Sequence, residues 1–407
     1  MNGRPMRRDG RRAHPVFAVC GVLWAVTAFA GAARAQLPDF SGYYQNVGVG
    51  VAAGPLSPAG ALDAQRARFM WTPSFGDWSL DAAYEHTLWW RDAPSTGGGG
   101  GLLSSTQSGG DWLPLGWTVH DGAHVDWRQR FDRLSVSYSR GALTATVGRQ
   151  AISWATTLFL TPADPFAPFG PSDPFREYRT GVDAARVQWF AGPFTTLDFV
   201  ARGADTPEGR TVTALLRGKT QLNGWELSAW GGAIQDAPGG ALGVTRTVAG
   251  SAVRAEMEIR RDTTGRAVAR TAVGIDRRFS VLDRDLYALV EYQHDPFGAA
   301  SATELTSAAL SPAAGRRELQ VLGRDESAVQ VTYQIHPLVS AELVALWNLR
   351  DGSALLAPAA AISVTNDLSA RLGLYLPTGA GAIGATGPRS EYGPVPFTGY
   401  VAFSLFF

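Results

Sequence analysis

The chain ends Gly399-Tyr-Val-Ala-Phe-Ser-Leu-Phe-Phe407. Read with a period of two, Val401, Phe403, Leu405 and Phe407 fall on one side, and Tyr400, Ala402 and Ser404 on the other. That is the pattern of a strand with one apolar face. Chain ends normally fray into water, so a soluble domain rarely finishes on aliphatic and aromatic side chains in register. Such a strand suits a place where its apolar side has something other than water to face.

The same alternation runs back through the sequence. Trp78, Leu80, Ala82, Tyr84, His86, Leu88 and Trp90 alternate with Ser79, Asp81, Ala83, Glu85, Thr87 and Trp89. Val253, Ala255, Met257 and Ile259 alternate with Arg254, Glu256, Glu258 and Arg260, and Val329, Val331, Tyr333 and Ile335 with Gln330, Thr332 and Gln334. Leu343, Ala345, Trp347 and Leu349 form another such row. Alternation alone also fits a soluble sandwich, and the terminal strand decides between the two. No apolar run after residue 36 reaches the roughly 20 residues that a membrane-spanning helix needs.

Strands are expected at 40–51, 63–72, 77–90, 126–139, 142–149, 181–190, 194–203, 210–219, 224–235, 240–246, 251–261, 267–279, 284–294, 326–336, 339–350, 353–365, 368–377 and 396–407. The even-numbered connections are then short and rich in turn formers: Pro73–Gly76, Arg140-Gly141, Ala191–Pro193, Thr220–Asn223, Thr247–Gly250, Ser280–Asp283, Pro337-Leu338 and Asn366-Asp367. The long segments 91–125, 150–180, 295–325 and 378–395 all fall on odd connections. Short turns at one end and long loops at the other, with an even strand number, describe a transmembrane antiparallel up-and-down β-barrel. The expected fold is therefore all-β, with about 18 strands. Merging two weak segments gives 16, at the price of a long loop on the short-turn end. The weakest segments are 40–51 and 240–246.

Composition agrees. Of 407 residues, 45% are hydrophobic and only 18% charged, less charge than the roughly 25% usual in a soluble domain. The first 35 residues read as a signal peptide, with a basic start, an apolar run from Pro15 to Ala30 and Ala33-Arg34-Ala35 as the cleavage pattern. Residues 36–407 then form the barrel. The leader holds six arginines and Asp9, so the remainder has 30 basic and 35 acidic residues, a net of −5. That excludes a nucleic-acid partner, which calls for a basic surface. Cys20, inside the leader, is the only cysteine, so neither a disulfide scaffold nor a thiolate metal site is expected. Lys219 is the only lysine; a GC-rich genome explains this as readily as a need for arginine. Tryptophans cluster near strand ends (Trp71, Trp78, Trp89, Trp90, Trp127, Trp189, Trp225), as interfacial girdles do.

An eighteen-strand barrel is too wide for its own side chains to fill. The segment 150–180 is the candidate to narrow it: five prolines (162, 165, 168, 171, 174) exclude a strand and stiffen a coil that carries five aromatic residues ahead of Tyr178. Folded into the lumen, it would bring together Arg149, Gln150, Asp164, Arg176, Glu177, Arg179, Asp183 and Arg186, and Asp173 besides. Fixed charges at a constriction select ions by sign. The same charges would serve equally to pin the loop to the wall, and both roles are compatible. Arg202, Arg217, Arg254, Glu256, Glu258, Arg260, Arg270 and Arg278 also read as inward-facing; alternating Arg and Glu there suggests a self-neutralising ladder more than a binding site.

The terminal strand resembles the last strand of bacterial outer-membrane barrels, whose final Phe, here Phe407, is read by the insertion machinery. More narrowly, Gly148-Arg149-Gln150, Trp154, Pro162-Ala-Asp-Pro-Phe166, Arg176-Glu-Tyr-Arg179 and Gly181-Val-Asp183 resemble a motif of poorly characterised porin-like barrels of Gram-negative bacteria. The resemblance implies a cell-outer-membrane channel for passive diffusion of small polar or anionic solutes, surrounded by lipid and lipopolysaccharide. It names no solute, cofactor or oligomeric state. Two other classes stand beside it: a barrel enzyme of the protease, phospholipase or deacylase type, and a plugged structural barrel. His120, Asp121, His124 and Asp126 offer no third ligand at metal spacing, and no nucleophile elbow or phosphate loop is present.

Overall fold

The computed structural model describes residues 40–407 except 56–57, 93–109, 167–177, 207, 263–264, 382 and 385–386, and the side chains of 383 and 384. The leader (1–35), Arg176, Glu177 and Asp173 thus lie outside the described residues. The main sheet holds twenty strands. Two are short additions, Ser74–Phe75 and Gly116–Asp121, and the other eighteen make the wall. These are β1 Phe40–Val51, β2 Gly60–Trp71, β3 Trp78–Arg91, β4 Val125–Arg140, β5 Leu143–Gln150, β6 Val182–Phe190, β7 Thr196–Thr206, β8 Gly209–Leu222 and β9 Trp225–Ile234. β10 Ala237–Val248, β11 Ser251–Arg261, β12 Ala267–Val281, β13 Arg284–His294, β14 Asp325–His336, β15 Val339–Asn348, β16 Ala354–Ser363, β17 Leu368–Thr378 and β18 Thr398–Phe406 complete it.

Each strand pairs antiparallel with its sequence neighbours, and β1 pairs with β18 from Tyr43↔Phe406 to Val51↔Thr398, which closes the barrel. Closure leaves no edge with unpaired backbone groups. Phe407 extends the seam: Gly42 N–H donates to its carbonyl at 2.8 Å and its own N–H donates to Gly42 O at 3.0 Å. Its ring stacks on Phe40 at 6.3 Å and tilts against Phe69 at 6.0 Å.

Turns at the end that carries Phe40 and Phe407 are tight. Asn223-Gly224, Ala249-Gly250 and Leu282-Asp283 all have positive φ at both central residues, the hairpin geometry that matches strand twist. β8 accordingly runs to Leu222, past the sequence-based limit of 219. The opposite end carries the long connections. One of them, 92–124, contains the unforeseen short strand 116–121, which pairs with Val125–Arg140 beyond the end of β5. Another, 295–324, contains short helical turns at Ala302–Glu304, Leu305–Ala309 and Pro312–Gly315.

Period two sorts the wall into two faces. On β11, Val253 and Ile259 are exposed while Glu256, Glu258 and Arg260 are buried inside the barrel. Val147, 64% exposed on β5, is typical of the outward rows, which also present Leu216, Val273, Leu343 and Val401. A soluble protein does not leave period-two apolar rows in water on strand after strand. The buried apolar residues instead sit within the lumen, where the long connections meet the inner wall.

Candidate functional site

The segment from Ala151 to Phe166 runs from the end of β5 to the far side of the lumen. Proline and the absence of a neighbouring strand leave its amides without a ladder, so they must be satisfied elsewhere. Two inward carboxylates on distant strands do this. Glu256 on β11 accepts from the backbone N–H of Thr156 (2.6 Å), Thr157 (3.1 Å) and Ala163 (3.1 Å). Glu291 on β13 accepts from Leu158 (2.7 Å), Phe159 (2.9 Å) and Leu160 (2.7 Å). From the connection 295–324, Gln320 accepts from Thr161 N–H at 2.5 Å and donates to Phe159 O at 3.0 Å.

Apolar packing fixes the same segment. Ile152, Trp154, Ala163 and Phe166 pack on Val182, Ala184, Val200, Leu215, Trp230, Ile234 and Ala241, the inner face of β6 to β10. Leu160, fully buried, joins Val321, Tyr392 and inward residues of β1 and β14 to β18. Trp154 Nε1 donates to Asp198 at 3.1 Å, and Trp230 Nε1 donates to Ala163 O at 3.3 Å. Proline-rich stiffness and aromatic content, visible in the sequence, thus serve a chain packed inside the barrel.

The charged residues named from the sequence occupy three places. Arg149 and Asp183 are register partners on β5 and β6 and form a two-pronged pair, Nε–Oδ1 and Nη2–Oδ2 both at 2.8 Å. Both side chains are almost completely buried, at 2% and 4%. Arg149 also contacts Asp111 at 3.1 Å and donates to Leu113 O, while Asp183 accepts from the backbone of Trp112 and Leu113. Arg179 meets Asp164 at 2.9 Å and so ties the return of the loop to its outward run. Arg186 pairs with Asp198 at 2.5 Å. Gln150 joins none of them; its amide donates to the backbone carbonyls of Ala184 and Thr146.

A second cluster sits on β2 to β4. Arg68 bonds Glu85 at 2.5 Å and Asp132 at 2.8 Å, Arg130 reaches both acids, and Arg133 adds a further bond to Asp132. Tyr178, at the returning end of the loop, lies between Arg68 (4.7 Å) and the stacked ring of Tyr43 (6.0 Å). On β11 and β12 three inward arginines are neutralised by acids: Arg270 pairs with Glu258 (2.8 Å) and Asp295 (2.7 Å), Arg260 with Glu318 (2.5 Å), and Arg254 with Asp276. Burial alone would raise the Glu318 carboxyl, but Arg260 and Arg316 outweigh it and hold it at about 2. Burial raises the Asp111 and Glu391 carboxyls.

Arg217, inward on β8, differs. Its guanidinium lies over the Trp154 ring at 5.7 Å, and among the described residues no hydrogen bond or ion pair fixes it. Sequence reasoning passed over Glu291, Asp198 and Gln320. Their partners lie 132, 44 and 159 residues away, which no local pattern reports.

No protein-family model matches the chain, and no curated protein matches it by sequence. Solved structures do. The Pseudomonas aeruginosa OpdK structure with vanillate has a TM-score of 0.53 at 11% identity and covers 90% of this chain and 98% of its own. Acinetobacter baumannii OccAB3 has 0.54 at 11% identity, covering 90% and 98%. Pseudomonas aeruginosa OpdQ has 0.52 at 9% identity, covering 91% and 99%. The shared feature is the closed eighteen-strand barrel fold.

Proposed function

We propose that the chain is an outer-membrane channel for passive diffusion of small polar or anionic solutes, with the loop 150–180 as its selective element. The observation that carries this reading is a barrel with an apolar outer wall and a charged inner wall, crossed by a loop tied to wall strands on both sides. The exposed period-two rows suit lipid, and aromatic residues near the strand ends suit its interfaces. Short turns and both termini then lie on the periplasmic side, the long connections outside, and Phe407 is presented to the insertion machinery. Lipopolysaccharide surrounds the loop end. The fold likeness to OpdK, whose solved structure holds vanillate, adds a neighbour with an aromatic carboxylate bound.

In this reading most charges pin rather than conduct. Arg149, Arg179 and Arg186 are each engaged by an acid, whereas Arg217, held among the described residues by no ion pair, is a cation that can meet a passing anion. Single-channel recording of the refolded protein in a planar bilayer tests the proposal. Discrete current steps are expected, with a reversal potential under a salt gradient that reports anion preference. A barrel that inserts and stays silent would refute it.

A further inference from the structure

The outward face of the wall is uneven. On β11 its row reads Val253, Ala255, Met257 and Ile259. On β1 to β4 the same face carries Tyr44, Asn46, Asp63, Gln65, His86 and Gln129. Their direction follows from register, since Tyr43, Arg68 and Glu85, one position out of phase, point into the lumen around Tyr178. Register also makes the six contiguous. Tyr44, Ala67, His86 and Gln129 form one row, Asn46 and Gln65 the next, and Gly48 and Asp63 the third. Asn46 and Gln65 lie near the middle of strands of 12 residues, Asn46 itself buried among its neighbours, while Asp63, level with Gly48 and Trp90, lies nearer the loop end, so the patch runs from mid-wall toward the rim.

Asp63 organises the patch. It accepts from Asn46 Nδ2 at 2.9 Å and from Gln65 Nε2 at 2.8 Å, while Tyr44 Oη donates to Gln65 Oε1 at 3.1 Å. Each carboxylate oxygen therefore keeps an unused lone pair, and the amides keep unused N–H groups. Beside it the wall is bare: a Cβ on Gly50 would meet nothing within 4 Å, and one on Gly48 only the Val401 carbonyl at 4.0 Å. Hydrocarbon offers no partner to such groups, and polar side chains on a lipid face are unfavourable.

We propose that this face is where a second copy of the same chain docks, in a closed symmetric assembly. The patch holds both signs of hydrogen-bonding group, an acceptor carboxylate with amide, phenol and imidazole donors. It can therefore complement itself across a symmetry axis, as contacts between identical subunits require. An anionic lipid headgroup would meet the Asp63 charge, and bare glycine backbone lets two walls approach closely. The proposal rests on the barrel lying in a membrane, which the bilayer recordings test independently.

Cysteine cross-linking in intact outer membranes of cells expressing the full chain tests it. The wild-type chain, with Cys20 as its only thiol, is the blank, and Val273→Cys on the far outward wall is the collision control. Gln65→Cys is expected to give an oxidant-induced band at twice the chain mass, several-fold stronger than the control. The apolar triple variant Asn46→Leu, Asp63→Leu, Gln65→Leu is expected to fold and conduct but to run as a single copy in mild detergent. A wild-type protein that is single-copy in that detergent, with Gln65→Cys cross-linking no better than Val273→Cys, would overturn the proposal. So would a cross-link only to a different protein.

Discussion

Replacing Glu256 and Glu291 by glutamine should release the inward loop while leaving the wall intact. Glu256 Oε2 takes Thr156 and Thr157 N–H and Oε1 takes Ala163 N–H; Glu291 Oε1 takes Leu158 N–H and Oε2 takes Phe159 and Leu160. A glutamine oriented to keep two of its three bonds turns an NH2 toward the third amide. That strands one buried N–H at each site, at about 1–3 kcal/mol apiece, with further loss because the remaining acceptor is no longer charged. The two sites clamp one short segment, so the double variant loses about 2–6 kcal/mol of docking free energy. Each 1.4 kcal/mol is a tenfold change in the docked-to-undocked ratio. Single-channel recording should then show excess current noise and sub-conductance transitions absent from the wild type, stronger in the double variant than in either single one. Loss of two negative charges will also shift the reversal potential, so selectivity alone does not decide. A double variant with wild-type noise and dwell times would refute the clamp.

Arg149→Ala leaves Asp183 buried without its partner and should destabilise the barrel by about 3–5 kcal/mol, seen as a lower urea midpoint for loss of the heat-modifiable folded band. Arg217→Gln should reduce the anion-to-cation permeability ratio without added noise, since among the described residues no acid is bonded to that side chain; an unchanged reversal potential would remove Arg217 from the solute path. Glu318 has its folded value lowered from 4.5 to about 2, so its contribution is present above pH 4.5 and is lost as pH falls from there toward 2. Hydrogen exchange around residues 316–322 should accelerate only in that window, and Glu318→Gln should abolish the step.

Alternation makes the wall legible because period two is imposed on every strand by a dry outside and a wet inside. β1, β11 and β13 fall at 40–51, 251–261 and 284–294, where the pattern puts them. The weak 240–246 segment belongs to a longer strand, Ala237–Val248, whose start is hidden by Pro238, Gly239 and Gly240. The strand 116–121 follows glycine-rich sequence and pairs on one edge only, so its pattern is faint. Arg149 and Asp183 could be paired once β5 and β6 were placed, since they are direct register neighbours. Arg179 with Asp164, and both glutamate clamps, depend instead on how the closed barrel brings remote strands to one loop.

That dependence explains an otherwise odd pairing preference. The inner wall is rich in arginine, yet Glu256 and Glu291 are tied to six loop amides, and among the described residues neither has an arginine partner. The neighbouring Glu258 is instead paired with Arg270 at 2.8 Å and lies 3.7 Å from Arg260. A loop without ladder bonds can stay in a wet lumen only if its amides find acceptors stronger than water, and an ionised carboxylate is the strongest the side chains supply. Had arginines neutralised these two acids, the loop would have lost its acceptors. The same two side chains therefore both hold the loop and place negative charge beside it, so on the proposed channel reading a substitution at either position changes loop placement and local charge together.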